Sequence, residues 1–429
     1  MRKKIVVALL VLVMGLTAGC GQQASSHELT VEVLQDEKVD TKQEEKEEVK
    51  NVVDEKTATE KLNQFGLELL MKNSDTKNPV LSPLSAYLAL HMVAEGAQEN
   101  TLTEFEQVMG DLDTQRALTQ LTKESLNKYT GSMEFLLHNS AWIDDELQVY
   151  DDWLAKALSF EGDQAFKMNL STQEAVNEMN KWVEKNTNGL IKEMVEEPFE
   201  DLTRLVLFNA LYMKGEWQNK FEPHGTYPRA FTLENGEEKD VDTMSMVEEK
   251  LSYIENEKLE GIVLPYKDSP LAFVALKAKE EDKIRELMQQ TSVQELLETV
   301  QGRAVRNINL RLPSFDISFD RKLNDSLIDM GIVDAFDEDN ANFRGIGTTD
   351  SGYDIYVSLV RQKARITVDE EGTEAAAVTE IAMVECTSVA IEPEPVYDLF
   401  FDQPFFYMIM DLENNMPVFM GFIDDPMTN

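Results

Sequence analysis

Basic residues, histidine and cysteine are all scarce in this chain, and each scarcity removes a class of function. The 429 residues hold 40 Lys+Arg against 80 Asp+Glu, for a net charge of −40. Such a body repels a nucleic-acid backbone and a heparin-like glycan, so neither is expected as a partner. Histidine occurs only as His27, His91, His138 and His224, and no HExxH, paired-histidine or CxxC spacing is present. That leaves a zinc site without support, and no metal or cofactor is expected. GxSxG, a Walker A lysine loop and a GxGxxG after a strand are missing as well, which removes the usual hydrolase and nucleotide-binding scaffolds. Cys386 is a conceivable thiol nucleophile, yet nothing near it suggests an oxyanion hole or an orienting group. The chain is therefore not expected to be an enzyme. Its only other cysteine is Cys20, so stability has to come from a large core, which this length allows.

What is present begins with a targeting signal. Arg2 to Lys4 are basic, an apolar run follows from Ile5, and small residues lead to Cys20 in "LTAGC". The run is short for a spanning helix, and its order of basic, apolar and small regions is that of a secretory signal. "LTAGC" resembles the lipobox of bacterial lipoproteins, although Thr17 stands where Leu is most usual. The resemblance implies removal of residues 1–19, lipidation of Cys20 and anchoring at the extracellular face of a bacterial cell membrane; cleavage at an ordinary signal site is the alternative. Residues 20–56 are polar and mostly acidic, with few aromatics, and read as a flexible tether, with an exposed helix at the Glu/Lys-rich end as the other reading.

Residues 57–429 carry the patterns of a globular domain. An apolar stripe at Leu62, Phe65, Leu67, Leu69 and Leu70 predicts a helix, and "SPLSAYLALHMVAEGA" predicts a second, with Ser82 and Pro83 as start signals and Gly96 as a stop. Further helices are expected over 101–130, 149–159 and 172–187. Beyond these come short β-branched and aromatic runs, "RLVLFNALYM", "GIVLPY", "LAFVALKA", "NINLRLPSF", "KARITVDE", "PFFYMIMD" and "MPVFMGFI", which read as strands. "DKIRELMQQTSVQELLETV" reads as one helical segment among them and "DRKLNDSLIDMG" as another. Helices first and strands later, without βα alternation, predict an α+β fold. A two-lobed solute receptor would need the βαβ pattern that is lacking.

The stretch "VDEEGTEAAAVTEIAMVECTS" stands apart. At strand spacing, Thr373, Ala375, Ala377, Thr379, Ile381 and Met383 are uncharged, while Glu374 and Glu380 fall on the other parity, so one face suits burial in a sheet. Read as a helix, Val378, Ile381 and Ala382 share a face, and parity alone does not choose. "DEEGTEAAA" resembles the reactive-loop hinge of inhibitory serpins. Four further segments resemble the same family in the same order: "NPVLSPLSAYLALHMVAEGAQENT", "LFNALYMKGEWQNKF", "LPSFDISFDRKLNDSLIDMGIVDAFDEDNANFRGI" and "DQPFFYMIMDLENNMPVFMGFIDDP".

The resemblance implies the serpin fold, with N-terminal helices, three β-sheets and an exposed reactive loop at about 369–390. It implies a monomeric inhibitor whose partner is a secreted or cell-surface protease, of serine type or else cysteine type, trapped when the cut loop enters the main sheet. The family pattern makes Glu370, Glu371, Gly372, Thr373, Glu374, Ala375, Ala376 and Ala377 the hinge and Cys386–Thr387 the cut bond. Because the segment from Cys386 to "PFFYMI" is longer than usual, the cut could fall elsewhere within Val384 to Ala390. Ser82, Ser85 and Asn209 match the family's shutter, with Gln362 where His is commonest, and Trp217 matches the aromatic at the point of loop entry. A non-inhibitory serpin acting as a surface binding or scaffold lipoprotein is the competing expectation, one that usually goes with bulky or charged hinge residues.

Overall fold

The computed structural model describes residues 27–29, 54–129, 133–158, 163–200, 203–279, 282–349, 355–373 and 395–428. Nine α-helices are found among them: α1 (Glu55–Lys72), α2 (Pro83–Ala94), α3 (Glu99–Met109), α4 (Leu112–Leu126), α5 (Asp151–Ala157), α6 (Gln173–Asn186), α7 (Ile284–Gln290), α8 (Val293–Gln301) and α9 (Asn324–Met330). The strands in the first half are β1 (His27–Leu29), β2 (Val80–Leu81), β3 (Glu134–Ile143), β4 (Leu147–Val149), β5 (Gln164–Lys167), β6 (Leu205–Glu216), β7 (Tyr227–Thr232), β8 (Glu238–Glu255) and β9 (Leu259–Pro265). Those in the second half are β10 (Leu271–Ala278), β11 (Ala304–Pro313), β12 (Phe315–Lys322), β13 (Gly347–Thr349), β14 (Leu359–Val368), β15 (Gly372–Thr373), β16 (Val396–Phe400), β17 (Phe405–Asp411) and β18 (Met416–Ile423).

Three sheets result. A seven-stranded sheet runs β1-β5-β3-β6-β15-β14-β12, a nine-stranded one runs β16-β11-β8-β9-β10-β17-β18-β2 with β7 beside β8, and β13 pairs with β4. The nearly continuous burial of β6, apolar from Leu205 to Met213 except at Asn209, follows from cover on both faces, as in any doubly buried strand. On one side α2 packs against β3, β6 and β18. Every residue of α2 is buried, which is why its sequence is apolar all round rather than striped. On the other side α6 lies on β3 and β6, where Trp142 stacks on Phe166 and meets Trp182 edge-on. The main core fills the space between the two large sheets, with β17 and β18 buried along their whole length.

The predicted order needs correction in three places. Strands β3 and β5 sit within the supposedly helical half; their polar residues, such as Asn139 and Ser140, hid them, yet both of these side chains are buried in the sheet. "DKIRELMQQTSVQELLETV" is two helices, because Thr291 is extended and the Ser292 hydroxyl accepts from Glu295 N–H to start the second. In "DRKLNDSLIDMG" the helix starts only at Asn324, since Arg321 and Lys322 still belong to β12. Within the segment read as a tether, His27–Leu29 pairs antiparallel with β5, and α1 begins at Glu55 with Asp54 as its cap.

Candidate functional site

Strand β14 ends at Val368, the chain turns through Asp369–Glu371, and Gly372–Thr373 comes back into the sheet as β15. This short strand is antiparallel to both neighbours, with Thr373 opposite Val368 on β14 and opposite Gly215 on β6. The turn is held from outside and from within. Trp217 N–H donates to Glu371 O at 2.9 Å, Phe221 N–H to Glu370 O at 3.0 Å, and the Trp217 indole to Asp369 O at 2.8 Å. The Asp369 carboxylate accepts from the N–H groups of Glu371 and Gly372 at 2.9 and 3.1 Å. Burial nevertheless pushes its pKa up, and the nearby charges of Glu370 and Glu371 add to this. Thr226 donates its hydroxyl to Glu370 at 2.6 Å, and Lys220 reaches Glu371 at 2.6 Å and Glu216 at 3.2 Å. The bond to Glu371 leads the upward shift of the Lys220 pKa.

Two contacts explain why the hinge has these small residues. A Cβ on Gly372 would lie 1.9 Å from Gly215 O, so the requirement is close backbone approach. The Thr373 side chain is buried and its hydroxyl shares a hydrogen bond with Tyr266 OH. Tyr266 is itself buried, stacks on Trp217 with ring centres 4.9 Å apart, and stays neutral because burial drives its pKa up. Trp217, Tyr266 and Thr373 thus form one buried layer at the upper end of β6.

Below the hinge, β6 and β14 pair directly and in parallel over four positions, from Leu359 opposite Val206 to Gln362 opposite Asn209. The seam is therefore closed at its lower end and divided by β15 at its upper end. Of the four residues matched to the shutter, Ser82 and Gln362 are brought into direct contact here. Gln362 accepts from Ser82 N–H at 2.9 Å and donates to Ser82 O at 3.0 Å, a two-pronged clamp that fixes β14 to the start of α2. Ser82 also caps α2 by accepting from Ser85 N–H. Asn209 turns away from this clamp and donates to Asn139 on β3, which in turn donates to Asp163. Ser85 Oγ is buried with no hydrogen-bond partner among the described residues.

Of the predicted hinge, Glu370, Glu371, Gly372 and Thr373 are placed as above. Glu374, Ala375, Ala376, Ala377, Cys386, Thr387 and Cys20 lie outside the described residues. Sequence reasoning missed Tyr266, Lys220, Thr226, Asn139 and Gly215. Gly215 and Lys220 lie inside the quoted "LFNALYMKGEWQNKF" and could have been found there; Tyr266 had no signal beyond closing a strand.

The two-residue strand β15 thus sits between β6 and β14 in a large mixed sheet. Comparison with known proteins gives the chain a family. The profile described as "Serpin (serine protease inhibitor)" matches residues 60–426, and the chain belongs to the serpin family. An uncharacterized serpin-like protein of Methanosarcina acetivorans is 29% identical over 369 residues, 84% of either chain. A serine protease inhibitor of Cyanea capillata is 30% identical over 362 residues, 82% of this chain and 93% of that one. The crystal structure of the thermophilic serpin tengpin in its native state covers 87% of this chain and 95% of its own at 29% identity, with a TM-score of 0.79. The same protein in its latent state gives a TM-score of 0.72 at 28% identity, over 86% of this chain and 98% of its own. The fold is thus closer to the native form.

Proposed function

We propose that the chain is a suicide-substrate inhibitor of a protease, acting by insertion of its cut reactive loop between β6 and β14. The observation that carries this reading is β15, seated antiparallel to both strands at the mouth of the seam. Continuing its register past Thr373 would set Thr379 between Asn209 and Gln362 and would reach Leu205, the start of β6, at Met383. All the odd positions from Thr373 to Met383 would then face the same way as the buried Thr373, and none of them is charged. A charge on that face would be buried without a partner.

The chemistry belongs to the target. Its serine hydroxyl attacks the Cys386 carbonyl, an ester forms, and the Thr387 amine leaves with a proton. The inserting loop then drags the enzyme along the sheet. Once the oxyanion hole and general base lose their geometry, water no longer hydrolyses the ester. A cysteine protease would form a thioester by the same route. Small or thiol-accepting specificity pockets suit Cys386 better than an Arg-selective one. Lipidated Cys20 would hold this inhibitor at the outer face of a bacterial membrane, where secreted or cell-surface proteases are met. The small, uncharged residues Thr373, Ala375 and Ala377 on the inserting face of the hinge speak against the scaffold alternative.

The test is incubation of residues 54–429, which keep the Asp54 cap of α1, with subtilisin-like, elastase-like, trypsin-like and papain-like proteases, read by denaturing gel and mass analysis. A covalent band at the summed mass with a fragment starting at Thr387 is expected. Cleavage by every enzyme without a trapped complex, and without a rise in thermal stability of the cut chain, would move the non-inhibitory reading to first place.

A further inference from the structure

Strand β1 is the outermost strand of the seven-stranded sheet, and it comes from the segment that joins Cys20 to the globular domain. His27 pairs with Lys167, Glu28 with Phe166 and Leu29 with Ala165, antiparallel along the outer edge of β5. Without β1 that edge would present unpaired N–H and C=O groups to solvent or to another chain. The sequence suits the place. From Leu29 it reads "LTVEV", with Leu29, Val31 and Val33 on one parity and Thr30 and Glu32 on the other, the alternation of a strand with one covered face. Chain length turns this pairing into a distance. Cys20 precedes His27 by seven residues, which span at most ~25 Å, whereas the path from Cys20 to Asp54, at the start of α1, could span up to ~120 Å.

We propose that β1 is a short mooring that sets which side of the inhibitor faces the membrane: the β5 edge of the main sheet is held within ~25 Å of the bilayer and the β12 edge points away. The proposal rests on lipidation of Cys20. The partner surface is lipid, and the arrangement is a stand-off, not immersion. A body of net charge −40 is repelled by anionic headgroups, but that repulsion fades over a Debye length of ~8 Å, well inside the reach of the mooring. The domain therefore clears the charged layer while staying beside it. A domain of this size is about 50 Å across, so the bait works within about 75 Å of the bilayer; a tether that ran free to Asp54 would let it roam to about 170 Å. Pairing of three residues thus decides how deep a layer of solvent the inhibitor patrols.

The experiment uses the full lipoprotein, purified with its lipid and placed in vesicles of phosphatidylglycerol and phosphatidylethanolamine that carry a headgroup dye. In a C386S background a single introduced thiol takes the matching dye, at Asn169, exposed just after β5, or at Ser318, exposed on β12. Four or five strand spacings, ~19–24 Å, separate those two edges. Energy transfer to the headgroups is expected to be at least twofold greater from N169C than from S318C. E28P/L29P removes a donor to β5 whichever of the two N–H groups points that way; it should quicken amide exchange over Ala165–Lys167 and bring the two transfer values together at a lower level. E44P/E45P, elsewhere in the tether, is the control and should match the unaltered tether. Equal transfer from the two labels with the unaltered tether, transfer untouched by E28P/L29P, or an equal fall in E44P/E45P would overturn the proposal. Mass analysis of the N-terminal peptide separates the two readings. Without lipid on Cys20 the anchoring fails and the proposal falls with it; lipid on Cys20 with equal transfer from both labels rejects the mooring alone.

Discussion

Replacing Thr373 by Val tests whether the seated hinge depends on its one buried polar contact. Valine keeps the branched shape suited to a strand, so the change removes little but the hydroxyl. Tyr266 OH, buried, then loses the partner it has in the seated hinge. An unsatisfied buried hydroxyl costs ~1–3 kcal/mol. Taking about 2 kcal/mol, the balance between seated and released hinge shifts about 30-fold toward release. The released hinge is the form that relieves the cost, so the effect falls on local opening more than on global unfolding. Amide exchange of Trp217 N–H, which donates to Glu371 O, reports that opening and should quicken by about the same factor. In the double variant T373V/Y266F both polar groups are gone, and exchange should return most of the way, since apolar replacement of both partners is nearly neutral. The double-mutant cycle then gives a coupling close to the single-variant cost. Exchange within twofold of the unaltered chain in T373V, or no recovery in T373V/Y266F, would refute the reasoning.

Three further expectations follow from the same geometry. G372A places a methyl group against Gly215 O and should unseat the hinge altogether, seen as greater exposure of Trp217 by fluorescence quenching, whereas alanine at the exposed Gly236 position leaves quenching unchanged. Q362A leaves the Ser82 N–H without its partner, while Ser82 C=O keeps the bond from Ala86 N–H, and should cost ~1–3 kcal/mol in urea unfolding, because one buried backbone donor is left unpaired. Asp425 is buried; burial raises its pKa, but the bonds from Lys239 at 2.7 Å and Lys77 at 2.8 Å, with Thr428, outweigh it, so the net shift is downward. A carboxyl lowered in the folded state stabilises fully above its unfolded pKa of about 3.9 and loses that contribution gradually as pH falls from there toward the lower folded-state value; D425N should therefore lose most stability at pH 7 and progressively less as pH is taken below about 4, as measured by denaturant midpoints.

How far these features were legible depended on the range over which they are encoded. Ser82 announced itself as a cap beside Pro83, and Trp217 sat in a segment whose place in the order matched a family. The buried strands β10, β17 and β18 were plain from composition because cover on both faces makes them apolar throughout. β8 was not: "EKDVDTMSMVEEKLSYIE" looks charged, since Asp240, Asp242 and Val247 face solvent while Val241 and Met244 enter the core. Lys220 and Glu371 are 151 residues apart, and Asn139 and Asn209 are 70 apart. No local pattern carries such pairings; they arise only once sheet register is fixed.

The contact of Gly372 with Gly215 has a kinetic consequence. Strand addition, like helix growth, has an unfavourable first step, in which residues are ordered before neighbours reward them, at ~1–2 kcal/mol of backbone entropy each. Here two residues are already ordered, so zippering starts from a nucleus instead of having to form one. The nucleus also sets the phase. A slip of one residue would turn every buried side chain outward, and the missing Cβ at Gly372 admits only one alignment against Gly215 O. In the proposed mechanism, a race between strand growth and ester hydrolysis would begin with its first step complete and its frame chosen.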